Sequence, residues 1–218
     1  LRVVVLEKGG LFGAEDFAAF TEMEAFQSMY EKQGLLTSED GNIVVLAGAC
    51  VGGGTTVNWA ASFRTPRHVR AEWHQRFGLS SFKEGGPFDR ALDAVCERLE
   101  VNVDHSHRAE GCPAPSDALV VNLSNAKLWE GCKRAGGRPL PIPRNAVGCG
   151  DCGRCSHGCP SGSKRCTRAT FLKDGQETGR LTLIPGAHVD TVLRHGAGGR
   201  AAGVRATVSG AGAAAAAA

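Results

Sequence analysis

Apolar and polar positions follow different rhythms along the chain. Residues 2–7 form a continuous β-branched run, closed by Lys8, Gly9 and Gly10, which predicts a buried parallel strand ending in a turn. Residues 14–32 carry helical spacing, with Phe17, Phe20, Met23 and Phe26 about one turn apart. Residues 42–46 read as a short strand and residues 48–56 as a glycine-rich loop. Two amphipathic helices are predicted over residues 68–77 and 88–99, the second with Leu92, Val95 and Leu99 on one face. Residues 101–115 are polar and loop-like, and Ser116 is a good N-cap for a helix ending near Gly136 and Gly137. Pro139, Pro141 and Pro143 break any regular element. Strands are expected over 181–184, 189–194 and 203–208. A strand first, helices between and strands last predict an α/β layer with a helical insertion. No linker is visible, so residues 1–208 are read as one domain and 209–218 as a low-complexity alanine-rich tail.

Composition narrows the class. With 218 residues, 42% hydrophobic and 22% charged, the chain has the make-up of a soluble globular domain. A net charge of +3 is too small to call for nucleic acid or an anionic membrane as a partner. The chain opens on Leu1 inside an apolar run, without the features of a signal peptide, and closes in alanines. Both features predict a fragment of a longer protein. No apolar stretch here reaches the length of a membrane span. Any membrane association would come from other parts of the protein. Nine cysteines, an odd number without a secretory signal, predict a reducing, intracellular setting.

Two segments carry candidate cofactor chemistry. Glu7 ends the first strand just before a turn, where a dinucleotide-binding fold places the acid that accepts two hydrogen bonds from ribose hydroxyls. Alone, it reads more readily as a solvated carboxylate. The run from Gly48 through Ala49, Cys50, Val51, Gly52, Gly53, Gly54, Thr55, Thr56 and Val57 to Asn58 and Trp59 is more specific. Three successive glycines remove every Cβ, so amide N–H groups can crowd around an anion such as a pyrophosphate. Thr55 and Thr56 offer hydroxyl donors, and Asn58 offers both a donor and an acceptor for a flavin edge.

This stretch resembles the first signature of the glucose–methanol–choline (GMC) oxidoreductases, FAD-dependent alcohol oxidases and dehydrogenases. Gly48, Val51, Gly52, Gly53, Gly54, Thr55, Val57 and Asn58 match the family pattern, whereas Ala49 stands where a basic residue is common and Ser62 where an aromatic is common. The run from Ala47 to Pro66, with Glu72 and Trp73 after it, looks most like the long-chain fatty alcohol oxidases of that family. So does the later Cys-rich segment followed by Thr170 and Phe171. The resemblance implies a partial Rossmann-like FAD-binding domain, with a helical insertion and a Cys-rich loop. It implies that Glu7, Gly48, Gly52, Gly53, Gly54, Thr55 and Asn58 bind FAD, and that Val189 contacts adenine through its backbone. The intact enzyme would oxidise a long-chain primary alcohol to the aldehyde, with O2 as acceptor. The Gly-x-Gly-x-x-Gly fingerprint would precede Leu1, and the general base, usually a His with a His or Asn partner, would follow this chain. No catalytic residue is therefore assigned within it.

The cysteines leave alternatives open. Cys149, Cys152, Cys155 and Cys159, followed by Pro160, have the spacing of a ferredoxin iron–sulfur run, which would make the chain an electron-transfer module. Zinc and disulfides are further readings, and thiols without redox chemistry another. The resemblance favours the last, because similar loops occur in fatty alcohol oxidases not described as iron–sulfur proteins. An inactive fragment is a third functional reading. The seven histidines show no metal-binding spacing, and most are expected at the surface. Arg154, Lys164, Arg165 and Arg168 read as a solvated basic face, and Trp59, Trp73 and Trp129 as core.

Overall fold

The computed structural model describes residues 1–103, 123–196 and 198–209. The expected N-cap at Ser116, most of the 101–115 loop, His105, His107 and nearly all of the 209–218 tail lie outside the described residues. The fold is mixed α/β. The chain divides into two compact units, the first made of Leu1–Trp59, Arg154–Gly162 and Cys166–Ala218, the second of Ala60–Gly153 and Ser163–Arg165.

In the first unit, strand β1 (Val3–Glu7) pairs in parallel with β4 (Leu181–Pro185), in register from Val3 opposite Leu181 to Glu7 opposite Pro185. The strand and its parallel pairing agree with the sequence, but its burial does not: Val3 and Val4 are 46% and 60% exposed. Among the described residues β1 has one strand neighbour, so nothing pairs along its other edge. Strands β5 (Ala187–Arg194) and β6 (Ala201–Val208) form an antiparallel hairpin, and β2 (Leu36–Thr37) pairs with β3 (Val44–Val45).

The helical stretch expected over 14–32 is two helices, α1 (Ala14–Ala19) and α2 (Glu22–Met29). The break follows from Thr21, whose hydroxyl accepts the Glu24 N–H at 3.3 Å while the Glu24 carboxylate accepts the Thr21 N–H at 2.8 Å. This reciprocal capping box starts a new helix and resets the rotation. Met23 consequently points outward, 67% exposed, while Ala25 and Met29 turn inward. The core of this unit is Phe17, Ala25, Met29, Tyr30, Cys50 and Val57, with Phe12, Phe20 and Phe26 against it. Phe26 stacks on Tyr30 with ring centroids 4.3 Å apart. A short helix α3 (Gly54–Val57) follows the glycine loop, and α7 (Phe171–Glu177) packs on β4, where Gly175 lies against Leu181.

The second unit holds α4 (Arg67–Phe77), α5 (Pro87–Arg98) and α6 (Leu123–Arg134). Helix α4 stops at Gly78, which takes the left-handed conformation at φ +66°, and α5 starts with proline at its first position. The face of α5 expected to be apolar is only half covered, with Val95 exposed. An aromatic cluster links the two helices through the intervening turn: Trp73 meets Phe82 edge-on at 4.9 Å, and Phe82 meets Phe88 at 4.5 Å. No helix among the described residues is long and apolar enough to cross a membrane.

Candidate cofactor site

The turn after β1 is the hub of the candidate site. The Glu7 carboxylate accepts the Gly9 N–H at 2.7 Å, which closes the turn. Gly10 then bridges to Cys50, and the Val51 N–H donates to the Gly10 carbonyl at 2.9 Å. On its other side, the Gly9 carbonyl accepts the Gly186 N–H at 3.0 Å, which ties in the bend between β4 and β5. Gly9 is needed for this approach: a Cβ there would fall 1.9 Å from the Ala49 carbonyl oxygen. The structure thus brings Glu7, the glycine loop and the start of β5 to the carboxyl end of β1. That is where parallel α/β sheets bind ligands. Val189 lies on β5 opposite Ala206, beside an irregularity in the ladder, with Val189 itself partly exposed.

The glycines of the loop have different roles. Gly48 and Gly52 are packed inside it: a Cβ at Gly48 would lie 2.4 Å from the Gly53 carbonyl carbon, and one at Gly52 2.3 Å from Thr56 Oγ1. Gly53 and Gly54 face outward, and a Cβ at either would meet nothing within 4 Å. Gly53 has φ +52°, so it also needs glycine's conformational freedom. Gly54 opens α3, where a backbone N–H has no acceptor within its own helix.

The two threonines are occupied within the loop. Thr55 Oγ1 donates to the Gly52 carbonyl at 2.6 Å and accepts the Thr167 N–H at 3.0 Å. Thr56, buried, donates to the Val51 carbonyl at 3.0 Å. The loop is therefore held from within by hydroxyls, and its outward surface is backbone at Gly53 and Gly54. Asn58 follows α3 and is partly buried, its N–H donating to the Gly54 carbonyl at 2.8 Å. Trp59, expected in the core, is 63% exposed because the chain leaves the helix there in an extended form.

Further residues complete the frame, among them Thr167, which the sequence did not single out. Thr167 clasps the loop through Thr55, and the Arg168 guanidinium lies 5.8 Å over the Phe17 ring. Cys50, sealed beneath the loop, has its thiol pushed by burial up to about 11, with the nearby Glu7 carboxylate adding to the shift. Beside them, Lys8 pairs with Glu31, whose carboxyl this hydrogen bond holds below its ordinary value. Arg154 donates to the carbonyls of Phe17 at 2.9 Å and Phe20 at 2.5 Å. It thereby caps the end of α1. In the second unit, Lys164 is buried and Arg165 pairs with Glu100 at 2.7 Å. The solvated basic face read from the sequence is thus not what these four residues form. Arg154 meets carbonyls, Arg168 a ring and Arg165 a carboxylate, and Lys164 is buried.

Of the clustered cysteines, Cys149 and Cys152 belong to the second unit and Cys155 and Cys159 to the first. Cys149 Sγ lies 3.8 Å from the Asp151 carboxylate, and Cys159 Sγ 3.5 Å from the Ser161 hydroxyl. Among the described residues no group of three or more His, Cys, Asp or Glu is arranged to hold a metal ion.

A dinucleotide cofactor fits the features around β1. The loop exposes backbone rather than side chains, its glycines leave room for close approach, and an acid stands at the strand end. Residues 26–217 match the family described as GMC oxidoreductase, in its N-terminal domain. Long-chain-alcohol oxidase FAO4B of Arabidopsis thaliana is 39% identical over 183 residues, which cover 84% of this chain and 22% of that protein. Long-chain-alcohol oxidase FAO4A of the same plant is 35% identical over 192 residues, covering 88% and 24%. An uncharacterized GMC-type oxidoreductase of Mycobacterium tuberculosis, Rv0492c, is 32% identical over 207 residues, covering 94% and 30%. The chain spans less than a third of the length of each of these relatives.

Proposed function

Since this chain belongs to the GMC oxidoreductase family and forms part of its N-terminal domain, we propose that it is the Rossmann-like FAD-binding portion of a long-chain-alcohol oxidase. The intact enzyme oxidises a primary fatty alcohol to the aldehyde and passes the electrons to O2. The observation that carries the reading is the meeting of Glu7, Gly53–Gly54 and the start of β5 around one turn at the carboxyl end of β1. The names of the plant relatives supply the substrate class.

When bound, FAD would accept the hydride, with its two electrons, from the alcohol carbon. What this chain contributes is binding and orientation. Glu7 uses one carboxylate oxygen to close its own turn, which fixes the side chain and leaves the other oxygen for a ribose hydroxyl. The Gly54 N–H and the helix start around it offer a donor to a phosphate oxygen. Thr55 and Thr167 hold that backbone in place without themselves reaching outward, so the loop is ordered before the cofactor arrives. Val189 offers backbone groups to the adenine.

The test is the full-length protein, purified and assayed with primary alcohols of increasing chain length. A flavin spectrum, aldehyde product and peroxide formed in equal amounts support the proposal. Protein that folds yet takes up no FAD would refute it, and turnover confined to short or secondary alcohols would refute the substrate class.

A further inference from the structure

The second unit carries a cavity to which the alcohol chemistry assigns nothing. On α4, Arg67, Arg70, Ala71, His74 and Gln75 share one face by helical spacing. The turn after the helix brings Phe82, Lys83 and Glu84 beside them, and together these residues line about 190 Å3 of space. Three of these eight residues, Arg67, Arg70 and Lys83, are cationic, against one anionic residue, Glu84.

Two of the cations are matched. Arg67 pairs with Glu84 at 3.1 Å, and one terminal nitrogen of Arg70 pairs with Asp89. Asp89 is in turn held by the Gly85 N–H at 2.6 Å, so it cannot serve the cavity more widely. Three groups are left over. Lys83 has no ion-pair partner among the described residues. Arg70 Nε and His74 Nδ1 are both buried, and neither has a hydrogen-bond partner among the described residues. The Nε–H of arginine is always a donor, and leaving such a group buried without an acceptor costs roughly 1–3 kcal/mol. Arg70 Nε and Lys83 therefore call for an acceptor with about one negative charge, and His74 Nδ1 joins them in the tautomer that carries its proton there.

We propose that this cavity binds a small, singly charged oxyanion, through Lys83, Arg70 Nε and His74 Nδ1. The volume admits a phosphate or a short carboxylic acid. Phe82, wedged between Trp73 and Phe88, gives one rigid apolar wall, so a short carbon stem on the anion is also accommodated. The free anion and the anionic end of a small organic acid share this chemistry, and the experiment distinguishes them.

The measurement is calorimetric titration of the full-length protein, loaded with FAD so that its cofactor phosphates cannot be mimicked. Inorganic phosphate, acetate and chloride are compared at constant ionic strength. Saturable binding of phosphate or acetate in the millimolar range or tighter, without a chloride response, is expected. Preference for phosphate identifies a phosphate site, and preference for acetate a carboxylate site. Lys83→Met and His74→Phe should each weaken binding about tenfold, and Lys83→Arg should restore it. Unchanged flavin absorbance per protein checks that each variant is folded. Absence of saturation by either anion in the wild type overturns the proposal, whatever the variants do, as does wild-type affinity in a folded Lys83→Met.

Discussion

Replacing Gly9 with alanine probes the junction on which the candidate site is built. The added Cβ would sit 1.9 Å from the Ala49 carbonyl oxygen, 2.2 Å from its carbon and 2.6 Å from the Cys50 nitrogen. All three are backbone atoms, so no side chain can rotate away. Ordinary contact begins at 3.4 Å; the glycine loop must retreat by about 1.5 Å, the difference between 1.9 and 3.4 Å. That movement breaks the Val51–Gly10 hydrogen bond of 2.9 Å and opens the bridge from Gly10 to Cys50. Overpacking costs roughly 1–3 kcal/mol and the lost bond about 1. The unfolded fraction should rise about 30- to 1,000-fold. Gly54→Ala is the control. Its Cβ meets nothing within 4 Å and its φ is not positive, so stability should stay within about 0.5 kcal/mol. It stands on the outward surface, however, and FAD affinity should fall. The assay is urea unfolding of the full-length protein with and without FAD, together with flavin retained after gel filtration. A Gly9→Ala midpoint equal to wild type would refute the packing argument. Wild-type FAD affinity in Gly54→Ala would refute the placement of the cofactor.

Three further outcomes are expected. Arg154→Met removes the cap on the Phe17 and Phe20 carbonyls and should cost roughly 1–3 kcal/mol in urea unfolding. Raising the pH should destabilise the protein through Cys50, whose thiol is shifted by burial from 9.0 to about 11. Below pH 9 the thiol is protonated folded or unfolded and adds nothing; between 9 and 11 only the unfolded chain loses the proton, which draws off up to about 2–3 kcal/mol. Cys50→Ala should flatten this slope in unfolding midpoints measured from pH 8 to 11, leaving a later loss from Tyr30, which burial raises to about 12. Finally, Cys155→Ser should leave flavin turnover intact and metal content near zero by elemental analysis. Stoichiometric iron or zinc lost together with activity would instead establish a cluster or zinc role for the cysteine run.

Strands were the most legible elements. The β-branched runs at β1, β4, β5 and β6 are local signals, and each falls within a residue or two of its predicted bounds. The division of 14–32 was also written in the chain, in the Thr21–Glu24 capping box. The spacing of Phe17, Phe20, Met23 and Phe26 masked it, because four apolar residues one turn apart imitate a single helix. Exposure was least legible. Val3 and Val4 carry a core-like pattern that only a second neighbouring strand would satisfy. The glycine loop was legible as a motif but not in its division of labour. That Gly48 and Gly52 pack inward while Gly53 and Gly54 face out depends on Thr55 and Thr56 folding back. The clasp from Thr167, 112 positions away, has no local signal at all. Arg154 and Arg168 were misread for the same reason, since their partners are distant carbonyls and a distant ring.

The parallel pairing of β1 with β4 sets the order in which this chain can assemble. Val3 lies opposite Leu181, 178 positions later (181 less 3). Closing a loop of that length costs roughly 4–5 kcal/mol of chain entropy before a single rung forms. The β5–β6 hairpin closes across residues 195–200 and faces no such barrier. During synthesis β1 lacks its β4 partner until residues 181–185 have been made. Its valines are a sticky, extended segment for that whole interval, the kind that invites pairing with the wrong neighbour. Local helices and the late hairpin should therefore form first, with docking of β1 as the slow step. The Glu7 turn, the Gly10–Cys50 bridge and the Gly9–Gly186 bond all hang on that strand. The binding surface is accordingly the last part of the unit to mature.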